Sequence, residues 1–140
     1  MNNLQKRIAE VFTKPSIVSA FATITEEGKP WVRYVCAVIG DDFKIRFATF
    51  ADSRKVAEIK RNPNVHLTCG KFDQKIEVYL QIEATASITA SKEERENMWY
   101  EHLGAFFKGS DDPNYAVMVL DPLRVEIYGP GLQGPEVWEK

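Results

Sequence analysis

Ser53, Arg54 and Lys55 stand where a strand-like stretch, "FATF", passes through "AD" into a helical pattern. Two adjacent cations at a helix start oppose the helix dipole, which favours negative charge there. Either the pair is a solvated charged helix start or it faces an oxyanion. The second arrangement has definite chemistry. Backbone N–H groups at a helix start favour a phosphate; an arginine adds a bidentate fork and a lysine a point charge. Thr49, four residues before Ser53, puts a hydroxyl at the strand end where it reaches the same ligand, although a strand-end threonine is also ordinary. Arg33 interrupts the apolar run "WVRYVCAVI". A buried unpaired cation is costly, so this arginine points to solvent or meets an anion.

Other residue types carry less. Cys36 and Cys69 sit inside apolar runs with no CxxC, which reads as two small buried thiols rather than a disulfide. His66 and His102 are far apart and give a zinc site little support. Asp111-Asp112 before Pro113 reads as a turn rather than a metal site. Trp31, Trp99 and Trp138 suit a core or interface as well as a flat ligand.

The elements that must position these residues follow from pattern. Leu4, Ile8, Val11 and Phe12 keep helical spacing, which predicts a helix over 3–13 that Pro15 ends. "SIVSAFATIT", "WVRYVCAVIG" and "FKIRFATF" read as three strands of an antiparallel meander joined by "EEGKP" and "GDD". A short helix follows over 53–61, with Val56 and Ile59 inward and Asn62-Pro63 as the stop. "NVHLTCG" is a fourth strand. From Ile76 to Thr89 apolar and polar residues alternate strictly, which predicts one long strand with a single buried face. Ser91 and Glu94 form a capping box for a helix through "KEERENMWYEHLG", with Trp99 and Leu103 on one face and Gly104 as the stop. "YAVMVLDPLRVEIYG" is the last strand, broken at Asp121-Pro122, and 129–140 is a Gly/Pro-rich tail. Strands this long bend around a barrel. The expected fold is mainly β: one domain over 1–140, a six-stranded antiparallel barrel with helical decoration.

Composition excludes some functions. Eighteen basic against twenty acidic residues give no general attraction to nucleic acid or anionic membrane. No run approaches the roughly 20 apolar residues of a membrane span, and the charged start "MNNLQKRIAEVF" lacks a signal-peptide core. A cytoplasmic protein is expected.

Taken in order, these segments resemble the pyridoxamine 5′-phosphate oxidase-like family, the FMN-binding split barrels, and look closest to its general stress protein 26-like branch. "FATITEEGKPWVRYV" is similar to the family's first hairpin, with an arginine on its second strand. "FATFADSRKVAEIKRNPNV" resembles the family's strand–Thr–loop–Ser-Arg-Lys–helix–Asn-Pro segment, and "VYLQIEATASI" and "DDPNYAVMVLDPLRVEIY" resemble its long and last strands. The likeness runs from about 6 to 128.

The resemblance implies FMN as cofactor, with the deazaflavin F420 as the alternative and haem the least suited. It implies that Arg54 and Lys55 hold the phosphate, that Ser53 and Thr49 assist at the phosphate and ribityl side, and that Arg33 with the backbone of Tyr34 and Val35 lines the phosphate and ring side. Phe47 and Ala48 would contribute backbone. A homodimer is implied, with Tyr79 on the long strand and Trp99 closing the pocket from the partner subunit. The chain departs from true pyridoxal phosphate-forming oxidases. Their Arg-Gln pair aligns with Val78-Tyr79, and the end reads "RVEIYGPG" without their Arg-x-His. Ala84 and Tyr128 replace a family glycine and tryptophan. The implied function is an FMN-dependent oxidoreductase acting on an unidentified small molecule rather than on vitamin B6; a non-catalytic flavin store or sensor is the alternative.

Overall fold

The computed structural model describes residues 1–131 and 133–140; Leu132, in the expected tail, lies outside them. Six strands close into a ring: β1 (Ile17–Ile24), β2 (Pro30–Ile39), β3 (Ile45–Phe50), β4 (Asn64–Phe72), β5 (Ile76–Thr89) and β6 (Tyr115–Tyr128). Their order is β3-β2-β1-β4-β5-β6, every pairing is antiparallel, and β3 pairs with β6 to complete the circuit. This is the expected split barrel. A seventh strand, β7 (Glu136–Glu139), arises from the segment expected to be an unstructured tail. It pairs with the second half of β6, because β3 occupies only the first half of that edge. Trp138 then packs edge-on against Phe43 at 4.7 Å.

The barrel interior is filled by inward residues of every strand. Phe21 and Phe47 meet edge to face at 4.9 Å, and Leu67, Leu80, Ile82 and Leu120 complete the packing. The alternation read in β5 holds from Leu80 to Ala86, whereas Ile76 at its start is exposed. Asp121-Pro122 does not end β6. A register shift opposite Glu83 and Ala84 absorbs the proline as a bulge. Helix α1 (Asn3–Val11) starts with a capping box from Asn2 and Gln5 and buries Ile8 and Val11 against the barrel. Helix α2 (Arg54–Arg61) buries Val56, Glu58 and Ile59.

Helix α3 is shorter than its pattern predicts. It spans Lys92–Met98, capped by Ser91, and stops at Trp99, which is extended; a 3₁₀ turn, Glu101–Ala105, follows and contains Gly104. The break lets Leu103 and Phe107 fold onto the outer faces of β3 and β6. There they form a second apolar cluster with Met98, Tyr115 and Val117, outside the barrel. Asp112 does serve as a turn residue: its carboxylate accepts from the backbone N–H groups of Lys108 and Asn114 at 2.8 and 2.9 Å. Cys69 is buried as read, but Cys36 is exposed. Its run is apolar on both faces, and only one face of β2 is covered by this chain. Among the described residues no group of three or more metal-binding side chains occurs, and no helix is long and apolar enough to cross a membrane.

Candidate functional site

One seam of the ring is short. The β2–β3 ladder makes only two pairs, Val38↔Arg46 and Ile39↔Ile45, and stops. Continued in register, it would have set Cys36 opposite Ala48, Val35 opposite Thr49 and Tyr34 opposite Phe50. Those six residues instead line a cavity of about 240 Å³. Strands that part in this way leave main-chain donors and acceptors facing the gap. Tyr100, Leu103, Phe106 and Phe107, from the segment that leaves the α3 axis, roof the gap; the rings of Phe50 and Phe107 lie 4.9 Å apart.

Lys55 supplies the charge at this cavity. Its burial, and then the positive charge of Arg33, push its ammonium below the usual lysine value. The start of α2 is built differently from the other two α-helices. Asn2 and Ser91 cap α1 and α3 with side-chain hydrogen bonds, whereas Ser53 makes none to its helix. Its Oγ lies 3.1 Å from Thr49 Oγ1 instead. The first turn of α2 holds no acid, while that of α3 holds Glu93 and Glu94. A helix start with uncommitted donors, a half-buried ammonium and two hydroxyls is arranged for an oxyanion.

The two neighbouring cations diverge, as consecutive helical residues must. Arg54 is exposed and lies over the Trp31 ring, 5.1 Å from its centroid, along a separate groove. Arg33 meets an anion, and that anion belongs to the chain: Nη2 donates to Glu58 Oε1 at 2.9 Å, and Nη1 donates to Thr23 Oγ1 at 2.7 Å. The Phe47 side chain points into the barrel core, so its place beside the cavity is that of main chain only. Tyr79 lies elsewhere, stacked on Tyr128 at 4.8 Å in another groove. Trp99 packs edge-on against Tyr115 and lines a larger groove of about 700 Å³ that adjoins the cavity through Tyr100. Arg46, in that groove, is held by Asp42 and Glu94 and sits well above the usual arginine value, first through its hydrogen bonds to Asp42.

Thus Tyr34, Val35, Ala48, Thr49 and Lys55 come together at one cavity, with Ser53 at its edge. Sequence reasoning missed Cys36, Phe50, Tyr100, Leu103, Phe106 and Phe107 there, and Glu58 behind Arg33. The aromatics from Trp99 to Phe107 were the available signal; the reading of "KEERENMWYEHLG" as one helix hid the turn that brings them over β3.

Comparison with known proteins agrees with this architecture. The family model described as pyridoxamine 5′-phosphate oxidase matches residues 4–129. General stress protein 26 of Bacillus subtilis (strain 168) is 30% identical over 119 residues, 84% of each chain. The crystal structure of general stress protein 26 from Bacillus anthracis str. Sterne superposes with a TM-score of 0.84 at 23% identity, over 99% of this chain and 100% of that one. A general stress protein 26-related structure from Clostridium acetobutylicum gives 0.78 at 20% identity, over 97% and 94%. The chain therefore belongs to the pyridoxamine 5′-phosphate oxidase family and is a relative of general stress protein 26.

Proposed function

We propose that this protein binds FMN in the gap between β2 and β3 and works as an FMN-dependent oxidoreductase on a small molecule. The observation that carries the reading is the shape and polarity of that gap. It has a cationic, hydroxyl-bearing end at Lys55, Ser53 and Thr49, and aromatic walls in Tyr34, Tyr100, Phe106 and Phe107. A flat ring system ending in a phosphate matches both. Lys55 would hold the phosphate, the strand edges would hydrogen-bond the ring, and the aromatic roof would exclude water. When bound, FMN supplies hydride or single-electron transfer. Val78 and Tyr79, in place of an Arg-Gln pair, support a substrate other than vitamin B6.

A second copy of the chain would complete the site. Val18, Val32 and Tyr34 are 64%, 63% and 80% exposed on the outer face of β1 and β2. Their register, Val18↔Cys36, Ala20↔Tyr34 and Ala22↔Val32, makes a continuous apolar ladder. Tyr34 and Cys36 belong both to this ladder and to the cavity wall. A homodimer would therefore cover ladder and cavity together, and Tyr79 and Trp99 of the partner are the proposed closing residues.

The absorption spectrum of the purified protein, with mass identification of any released chromophore, tests the reading. An equimolar amount of FMN supports it. A colourless protein that takes up no added FMN overturns it. F420 is a second reading, supported by an F420 reductase of the same fold with a TM-score of 0.63 at 19% identity. Its phosphate suits Lys55 equally, and the same mass measurement separates the two. A haem-binding protein from Mycobacterium smegmatis also shares the fold, with a TM-score of 0.75 at 14% identity. Haem fits less well here, because neither His66 nor His102 lines the cavity. Flavin bound without turnover of any electron donor would favour storage over catalysis.

A further inference from the structure

We propose that Glu58 is an internal counter-ion that competes with the ligand's phosphate for Arg33 and so holds down the affinity of the site for anions. The inference rests on the flavin reading of the cavity and goes beyond it, because it concerns how tightly the site holds its ligand. Glu58 is 2% exposed and is the one buried acid on α2. It accepts from Arg33 Nη2 at 2.9 Å and from Thr23 Oγ1 at 3.0 Å. Arg33 spends its other terminal nitrogen on Thr23 and on the carbonyl oxygens of Phe21 and Trp31.

Glu58 lies three residues after Lys55, on the same helical face. Arg33, paired to Glu58 at 2.9 Å, is close enough to Lys55 to lower its proton affinity. Arg33 and Glu58 cancel as a pair, which leaves Lys55 as the charge that lines the cavity before a phosphate of about −1.5 to −2. Apolar residues of similar volume often replace a buried ion pair without loss of stability, whereas removing one partner alone is strongly destabilising. The pair places a negative charge beside a site otherwise arranged for an anion.

The test is titration of the apoprotein with FMN and with riboflavin, which shares the ring but lacks the phosphate. Glu58→Gln keeps an acceptor for Arg33 and Thr23 and removes the charge. The expected result is roughly tenfold tighter FMN binding with riboflavin unchanged, the gain shrinking as salt is added. Equal changes for both ligands, or no change, would overturn the proposal, since a purely structural Glu58 cannot tell them apart. If Glu58→Gln fails to fold, the paired substitution Arg33→Met with Glu58→Met decides. FMN affinity near the wild-type value supports mutual cancellation; a loss confined to FMN contradicts it. A wild-type protein that binds neither ligand sinks the flavin reading itself. FMN-selective binding gained by Glu58→Gln would then still support the counter-ion, and no gain would overturn it.

Discussion

Thr49 Oγ1 and Ser53 Oγ stand 3.1 Å apart, and this contact ties the end of β3 to the N-cap of α2. Either hydroxyl can be the donor. Both retain capacity toward a ligand, since a hydroxyl offers one donor and two acceptor positions. Thr49→Val keeps the shape of a 3% exposed side chain and deletes one member of the pair. FMN binding is expected to weaken by about 1 kcal/mol, roughly fivefold, with riboflavin affected less. Equal weakening of both ligands would place the hydroxyl at the ring rather than at the phosphate.

Lys55→Met separates binding from stability. Burial and Arg33 hold the Lys55 ammonium below its ordinary value of 10.5, so the folded state disfavours the charged form. That penalty is fully present below the folded-state value and vanishes above 10.5. Removing the amine is therefore expected to leave the apoprotein's Tm at neutral pH equal or higher. FMN affinity should fall at least about tenfold. A lower Tm with unchanged FMN affinity would return Lys55 to the role of a solvated helix start.

The clamp on Arg46 sets an acid limit. Hydrogen bonds from Arg46 are the largest cause holding the Asp42 carboxyl down at about 2, against an ordinary value of 3.8. Asp42 thus stabilises the fold above 3.8, and that contribution is lost as pH falls through about 2. Asp42→Asn should flatten the pH dependence between these values in an acid-unfolding series. The effect is modest, because nearly half of the Asp42 side chain is exposed. An unchanged acid profile would mean that solvent screens the clamp.

Val32→Asp places a charge in the middle of the exposed β1–β2 ladder. Analytical ultracentrifugation is expected to show dimers for the wild-type protein and monomers for the variant. Flavin content should fall in parallel, because the same ladder carries Tyr34 and Cys36 of the cavity wall. Full flavin retention in a monomeric variant would show that one subunit suffices.

The two thiols report the site without any substitution. Burial pushes Cys69 up to about 12, whereas Cys36 is exposed at the cavity. A thiol reagent should label Cys36 before Cys69, which reacts only on unfolding, and should label Cys36 fastest in the Val32→Asp variant, where the ladder is uncovered. Added FMN should slow the Cys36 reaction at fixed protein concentration. Labelling that ignores FMN would place the flavin away from the β2–β3 gap.

Much of the fold is legible in local pattern. The alternation of β5 from Leu80 to Ala86 and the Ser91 cap depend on near neighbours and are kept, whereas the Glu94 carboxylate expected to close the capping box turns to Arg46 instead. Contacts between segments are less legible. Nothing in "WVRYVCAVIG" states that β3 leaves β2 after two pairs, so an apolar run read as buried holds an exposed Cys36. Trp99 carries no helix-breaking chemistry; α3 stops there because Leu103 and Phe107 gain more by burial on β3 and β6 than by continuing the helix. The position of Arg33 against an anion was legible as a need, but its partner lies 25 residues away on α2 and shows no local sign. Of the three cations that spacing singles out, Lys55 lines the cavity while Arg54 and Arg33 turn elsewhere, and the roof and the counter-ion depend on contacts between distant segments.

The early end of the β2–β3 ladder also bears on motion. Every other neighbour in the ring is joined by at least three register pairs, and β5 and β6 by eleven. Local opening starts where the fewest backbone hydrogen bonds must break. Amide exchange should therefore run fastest along the facing edges of Tyr34, Cys36, Ala48 and Phe50, and slowest across β5 and β6. A ligand spanning that seam would act as the missing rungs, so its arrival should be felt as protection of two strands at once. The most compliant part of the barrel and its point of recognition are then the same few residues.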